Sequence, residues 1–183
     1  MQKNKIYFDL ETTGFDGLKD DLIEIYAIKE SPTGEILGDI HLYFNPGISL
    51  PVRIVEITKI TDAMLKNKPN FISQVDTILD FIEPEDILVG HNALRFDLPF
   101  LNQQFIKHNI RNSIQLTNEV IDTMIMARKQ DNVGPFTKGY KLIDLANKFN
   151  FKINEAKFHG AKYDVEITKI LLKALEEKAK PKI

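Results

Sequence analysis

Residues 5–14 read KIYFDLETTG. Ile6, Phe8 and Leu10 alternate with Tyr7 and Asp9, the period of a β-strand with two distinct faces. Thr12-Thr13-Gly14 supplies the turn that ends it. Asp9 and Glu11 stand two residues apart, and side chains at i and i+2 of a strand project to the same face. Two carboxylates so placed repel, and one takes a raised pKa unless a cation intervenes. A divalent cation removes the conflict, whereas a pair facing water needs none. An Asp-x-Glu triplet is weak on its own, and Asp164-Val165-Glu166 is a second one in the same chain.

Outward from this strand, Leu22–Lys29 and Glu35–Phe44 read as two more, joined by the turn signal Ser31-Pro32-Thr33-Gly34 into a hairpin. Helical spacing appears over 52–58 and 71–82, then a short apolar strand over 87–89 closed by Gly90. A helix is expected over 98–107 with Pro99 in its first turn, a short strand over 119–121, and a helix over 123–129. Residues 130–139, with two glycines and a proline, predict a mobile loop. Helices follow over 141–149 and 164–177. Three strands and then alternating strands and helices predict an α/β layer fold with a mixed sheet flanked by helices. The chain reads as a single domain, 1–183, with 178–183 as a flexible, lysine-rich tail.

Length and composition agree with that. A chain of 183 residues, 43% apolar and 27% charged, is long enough to bury a core and is not a disordered sequence. It has no cysteine, which excludes disulfides and thiolate metal sites and fits a reducing compartment. Met1–Ile6 lacks the apolar segment of a signal peptide, and no apolar run is long enough to span a bilayer. A cytoplasmic protein without a membrane partner is expected. The formal net charge of −2 argues against gripping long duplex DNA by its phosphates, and leaves open a grip on a short stretch of strand.

Two further clusters carry chemistry-bearing residues. Gly90-His91-Asn92-Ala93-Leu94-Arg95-Phe96-Asp97-Leu98 follows a short strand and opens a helix. Asp97, just before Leu-Pro, has the composition of a helix N-cap, and His91 and Asn92 could equally be loop hydrogen-bonders. In the final helix Asp164 aligns with Ile167, Leu171 and Leu175, the stripe that should pack on the sheet. An acid in such a stripe needs a partner, because an unpaired buried charge is very costly. His159 stands five residues before it, beside Gly160.

In this order the clusters resemble the motifs of the DEDDh (DnaQ-like) family of 3′→5′ exonucleases, which includes the proofreading epsilon subunit of bacterial DNA polymerase III. Asp9-Leu10-Glu11-Thr12-Thr13-Gly14 is similar to its first motif, His91–Leu101 to its second, and His159–Asp164 to its third, of the form H-x-A-x-x-D. Ile60–Leu65 and Ile121–Thr123 also look like family segments. One departure is that the second motif commonly reads H-N-A-x-F-D, whereas this chain has one more residue, His-Asn-Ala-Leu-Arg-Phe-Asp. Asp122 recurs in the family and reads here as the N-cap of the next helix.

The resemblance implies a ribonuclease H-like fold and metal-dependent hydrolysis of phosphodiester bonds from the 3′ end of single-stranded DNA, with RNA 3′-end trimming on the same site as one alternative and a noncatalytic nucleic-acid-binding module as another. It implies two Mg²⁺ or Mn²⁺ ions held by Asp9, Glu11, Asp97 and Asp164, hard cations on oxygen ligands, with His159 as general base. Thr12, Thr13 and Gly14 are expected to meet the terminal sugar. Phe15, Leu98 or Phe100 would stack on the last bases. Arg95, Lys138, Lys141 and Lys162 are candidate phosphate contacts. No polymerase partner is indicated, since the chain has no long segment after its last helix.

Overall fold

The alternating stretch at the start of the chain forms the central strand of the sheet. In a computed structural model, which describes residues 2–179, five strands form one sheet: β1 (Lys5–Thr12), β2 (Leu22–Glu30), β3 (Ile36–Tyr43), β4 (Ile87–Gly90) and β5 (Val120–Asp122). Their order is β3-β2-β1-β4-β5. β1, β2 and β3 run antiparallel, and β4 and β5 run parallel to β1. The C-terminal ends of β1, β4 and β5 therefore share one edge of the sheet, where ligands of α/β sheets gather. Seven helices accompany these strands among the described residues: α1 (Val52–Thr58), α2 (Asp62–Leu65), α3 (Phe71–Phe81), α4 (Asp97–Lys107), α5 (Thr123–Gln130), α6 (Leu142–Lys148) and α7 (Ala161–Ala179). This is the mixed, ribonuclease H-like α/β arrangement expected.

The two faces of β1 explain the layers. Ile6, Phe8 and Leu10 are buried against Phe71, Val75 and Ile78 of α3 and Leu101 and Phe105 of α4. On the other face Tyr7 and Val89 pack with Val165 and Leu172 of α7. The stripe expected on the sheet, Ile167, Leu171 and Leu175, is instead covered by Leu145 and Ala146 of α6 and Ala127 of α5, because Val165 and Leu172 take the sheet-facing side of α7. Each of these large apolar side chains contributes about 1.5–3 kcal/mol on burial, so α7 is fixed from two sides and its first turn is held rigidly.

Two local features shape the sheet edge. Glu11 lies opposite Glu24, but Thr12 lies opposite Leu22, so the register slips by one residue where β1 ends. Such bulges re-aim side chains near sites. At the end of β4 a Cβ on Gly90 would lie 2.5 Å from Ala93 Cβ, so only glycine permits the tight turn into α4. At the other end of the chain, Lys178 and Ala179 belong to α7, and Lys178 pairs with Asp131 at 3.0 Å. Of the flexible tail expected from about residue 178, Lys178 and Ala179 form the end of α7, and the rest lies outside the described residues. No helix of the described residues is long and apolar enough to cross a membrane.

Candidate active site

At the end of β1, Asp9 and Glu11 meet Asp164 from the first turn of α7. Each offers a carboxylate oxygen, and these three atoms lie within 4.8 Å of one another. The turn before α7 aims Asp164: its backbone N–H donates to Gly160 O at 3.1 Å, and its Oδ2 accepts the His159 N–H at 3.3 Å. Asp164 Oδ1 is buried and has no hydrogen-bond partner. A buried carboxylate oxygen left unsatisfied is costly. An all-oxygen donor set with an orphaned oxygen is what a hard divalent cation fits.

Asp97 completes the group from the other side. It is the first residue of α4, and the cap position falls on Phe96, which makes no side-chain cap bond. Capping is thus not the role of Asp97. Its Oδ1 instead reaches across to β1 and accepts the Leu10 N–H at 3.1 Å. It stands outside the close trio, yet after burial its charge is the strongest influence on Asp9. The bond to Leu10 ties α4 to the strand residue between Asp9 and Glu11.

The electrostatics of the four acids are unfavourable as they stand. Burial, then Asp97, Glu11 and Asp164, hold the Asp9 carboxyl well above its usual range. Glu11 is pushed up to about 9 by burial and then Glu24. Burial raises Asp97 to about 7 against the lowering effect of the Leu10 N–H. Asp164 rises to about 7 for the same reason, offset by the His159 N–H. Buried Lys29 and half-buried Lys107 and Lys169 serve other acids: Lys29 pairs with Asp86 at 2.8 Å, Lys107 with Asp21 at 2.6 Å, and Lys169 with Glu30. Among the described residues no lysine or arginine pairs with any of the four, so an exogenous cation is the natural counter-charge.

His159 sits two residues before α7 in a left-handed conformation, with φ of 64°. A non-glycine residue held there costs of order 1–3 kcal/mol, a strain typical of functional turns. The residue is exposed overall, with its ring partly shielded from solvent. Burial of the ring, then Lys141 and Lys59, lower its pKa below the usual histidine value.

The remaining expected contacts fare unevenly. Phe100 is buried to 1% exposure in the core under β1, so it cannot stack on a substrate, and that expectation is corrected. The period of α4 turns Phe100 inward, while half-buried Leu98 lies nearer the surface. Phe15 is 81% exposed and meets Phe96 edge-on at 6.1 Å, free to offer a ring face. The Thr13 amide donates to Asp21 O at 2.9 Å and its hydroxyl accepts the Asp21 N–H at 2.8 Å, so this backbone donor is engaged within the protein. Thr12 Oγ1 donates to Gly14 O at 2.6 Å. Gly14 itself leaves room for the Asp20 carboxylate, which a Cβ would meet at 2.2 Å. His91 bonds Thr123 Oγ1 and Tyr140 O, both at 2.9 Å, and is structural. Asp122 caps α5, as read, and also accepts the Asn92 and Leu94 amides at 3.1 Å each.

The sequence reading missed Glu24. It lies on β2 opposite Glu11, only 2% exposed. Its Oε1 is 2.7 Å from His41 Nε2, and its Oε2 accepts the Ala161 N–H at 3.3 Å. Glu24 therefore clamps the first residue of α7 to the sheet beside Glu11. The signal was an acid inside the apolar run Leu22-Ile23-Glu24-Ile25, which must have buried partners. Glu24→Gln weakens this clamp, and divalent-ion affinity is expected to fall roughly 10–100-fold, the usual effect of losing an outer-shell support. Calorimetric titration with Mn²⁺ measures it, and unchanged affinity would show that Glu24 does not position the site.

Comparisons with known proteins show the family and the fold. A family model for RNase T-type exonucleases, described as "Exonuclease", matches residues 6–172. The DNA polymerase III PolC-type of Bacillus subtilis (strain 168) is 38% identical over 181 residues, covering 97% of this chain and 12% of that protein. The PolC-type enzyme of Mycoplasma genitalium is 36% identical over 164 residues, covering 90% of this chain and 11% of its own. The chain thus spans about an eighth of the length of relatives that are themselves polymerases. Among solved structures, E. coli exonuclease I in complex with single-stranded DNA aligns with a TM-score of 0.76 at 20% identity, over 98% of this chain and 41% of that one. Exonuclease X in complex with 5′ overhanging duplex DNA aligns at 0.66 and 25% identity, over 97% of this chain and 93% of that one. With a family match from the first strand into the last helix, the chain belongs to the exonuclease family.

Proposed function

We propose that the chain removes nucleotides one at a time from the 3′ end of single-stranded DNA by metal-dependent hydrolysis, releasing nucleoside 5′-monophosphates. The observation that carries this reading is the gathering of four acids, Asp97 buried and the others half-buried, with no lysine or arginine paired to them among the described residues and one oxygen of Asp164 lacking any partner. Asp9, Glu11 and Asp164 would hold one Mg²⁺ or Mn²⁺ ion, and Asp9 with Asp97 a second. Bound there, the ions would supply Lewis-acid stabilisation of the phosphate charge and lower the pKa of water.

The chain's own groups do the rest. His159, neutral at physiological pH because its pKa is lowered, takes a proton from the attacking water. The water oxygen bonds to the terminal phosphorus as the bond from phosphorus to the preceding 3′-oxygen breaks. That oxygen takes up a proton and becomes the new 3′-hydroxyl. Exposed Phe15 offers a face to the terminal base, a contact that tolerates any sequence. The likeness to polymerase segments supports a proofreading setting, and the chain's small net charge suits a short grip rather than a long one.

A gel tests the polarity. A single strand labelled at its 5′ end is expected to give a ladder of shortened, still labelled products with Mg²⁺ or Mn²⁺ and none in chelator. RNA and duplex lanes read substrate class in the same experiment. Release of the label first, or cutting of a circular strand, would sink the reading.

A further inference from the structure

Along the same sheet edge, beyond the acids, lies a cavity of about 590 Å³ between the turn after β4 and the loop after α5. Arg95, Arg128 and Lys129 bring three cations to it, and Ile125, Val133 and Pro135 give it apolar walls. Among the described residues no carboxylate lines it. Beside it Phe136 is 86% exposed, with the Arg95 guanidinium 5.7 Å from the centre of its ring. Arg128 donates from Nη2 to Thr137 O at 3.2 Å, while its buried Nε has no acceptor. Cations, apolar walls and a bare aromatic ring together match a nucleotide, whose phosphate and base need both. A simple anion would need no ring, and an apolar ligand no cations.

We propose that this cavity is a second nucleotide subsite, which holds the strand on the 5′ side of the scissile phosphate. The proposal rests on the exonuclease reading for its direction, since a 3′ end at the acids leaves the rest of the strand to lie elsewhere. The placement suits it. Arg95 is two residues from Asp97, so their Cα atoms are at most about 7 Å apart. The ends of β1 and β5 are separated by two strand spacings, roughly 10 Å. A strand leaving the acids crosses that distance within a few nucleotides, with Phe136 as a stacking platform and Arg95, Arg128 and Lys129 as phosphate contacts.

The test is equilibrium binding of a fluorescent twelve-nucleotide oligothymidylate to the full chain in EDTA, where nothing is hydrolysed, across a range of salt. The double variant Arg95→Ala with Lys129→Ala is expected to weaken binding roughly tenfold and to flatten the slope of log affinity against log salt by about 1.4, or about 0.7 per lost phosphate contact. Phe136→Ala is expected to weaken binding roughly tenfold with the salt slope unchanged, as loss of stacking should. Lys173→Ala, an exposed lysine on α7, serves as control and should bind as wild type does. Arg95, Lys129 and Phe136 are all exposed, so melting temperatures should hold and confirm that each variant is folded. Wild-type affinity in the double variant, or in Phe136→Ala, overturns the proposal, and the latter would mark a generic anion patch. No binding by the wild type overturns it as well. A hydrolysis assay with Mg²⁺ separates the two readings. Pocket-dependent binding without hydrolysis of any oligonucleotide upholds the subsite and defeats the nuclease; hydrolysis with pocket-independent binding does the reverse.

Discussion

Glu11→Gln is expected to lower nuclease activity about 10³-fold and, in metal-free protein, to raise the melting temperature. The first effect follows from losing one charge of the cation site: at about 4 kcal/mol of lost transition-state stabilisation the rate falls by roughly three powers of ten. The second follows from the raised pKa of Glu11, about 9, which burial, Glu24, Asp164 and Asp97 impose. A carboxyl whose pKa is higher folded than unfolded binds more protons in the native state, so stability falls as pH rises from the ordinary carboxylate range towards the folded pKa. Asp97 and Asp164 act in the same sense up to about 7, so the metal-free protein is expected to melt lower at pH 8 than at pH 5. Removing a charge from this cluster relieves the strain, and each kcal/mol relieved is worth about 2–4 °C for a domain of this size. Mg²⁺ is expected to stabilise the wild type at pH 8 far more than the variant. Asp97→Asn provides a second case. Its amide oxygen still accepts the Leu10 N–H, so the fold is kept while the charge is lost. Scanning calorimetry with and without Mg²⁺, beside rates on one oligonucleotide, checks all of this. Near wild-type rates in both variants would remove these acids from the chemistry.

His159→Ala is expected to cut kcat by roughly 10²–10⁴-fold, the usual worth of a positioned proton acceptor. Only the neutral imidazole accepts a proton, so the wild-type rate should rise with pH through the histidine pKa. Burial and the charges of Lys141 and Lys59 lower that pKa, which places the rising limb below 6.5. The alanine variant should lose this limb while keeping metal affinity, because Asp9, Glu11 and Asp164 remain. A merely structural role is distinguishable. The His159 bond to Asp164 is made by its backbone N–H and survives in alanine, so lost activity with an unchanged melting temperature points to the ring. The measurement is kcat against pH for both proteins. An unchanged profile in the variant rules out the base.

Much of the fold was legible because it rests on local periodicity. The alternation of Ile6, Phe8 and Leu10 against Tyr7 and Asp9 marks a strand whose two faces are both buried, and the period of α7 marks a buried helix, although the stripe expected on the sheet packs on α5 and α6 instead. Helix ends were less exact. The last helix begins at Ala161 rather than Asp164, because Ala161 N is anchored on Glu24, a contact 137 residues away in sequence. For the same reason Phe100 was misread: which side of α4 faces the core depends on where β1 lies.

The sequence by itself determined that Asp9 and Glu11 share a strand face, since i, i+2 spacing follows from backbone geometry, whereas grouping them with Asp97 and Asp164 came from the resemblance of the motifs. Tertiary structure alone decided how those acids meet. Asp97 was an equally good helix cap until its carboxylate was seen on the Leu10 amide, and Glu24 was one more strand residue until the register placed it opposite Glu11. The difference is one of range. Strand and helix periods act over a few residues, whereas repulsion between carboxylates, and the cation that would relieve it, depend on distances that only the packed layers set.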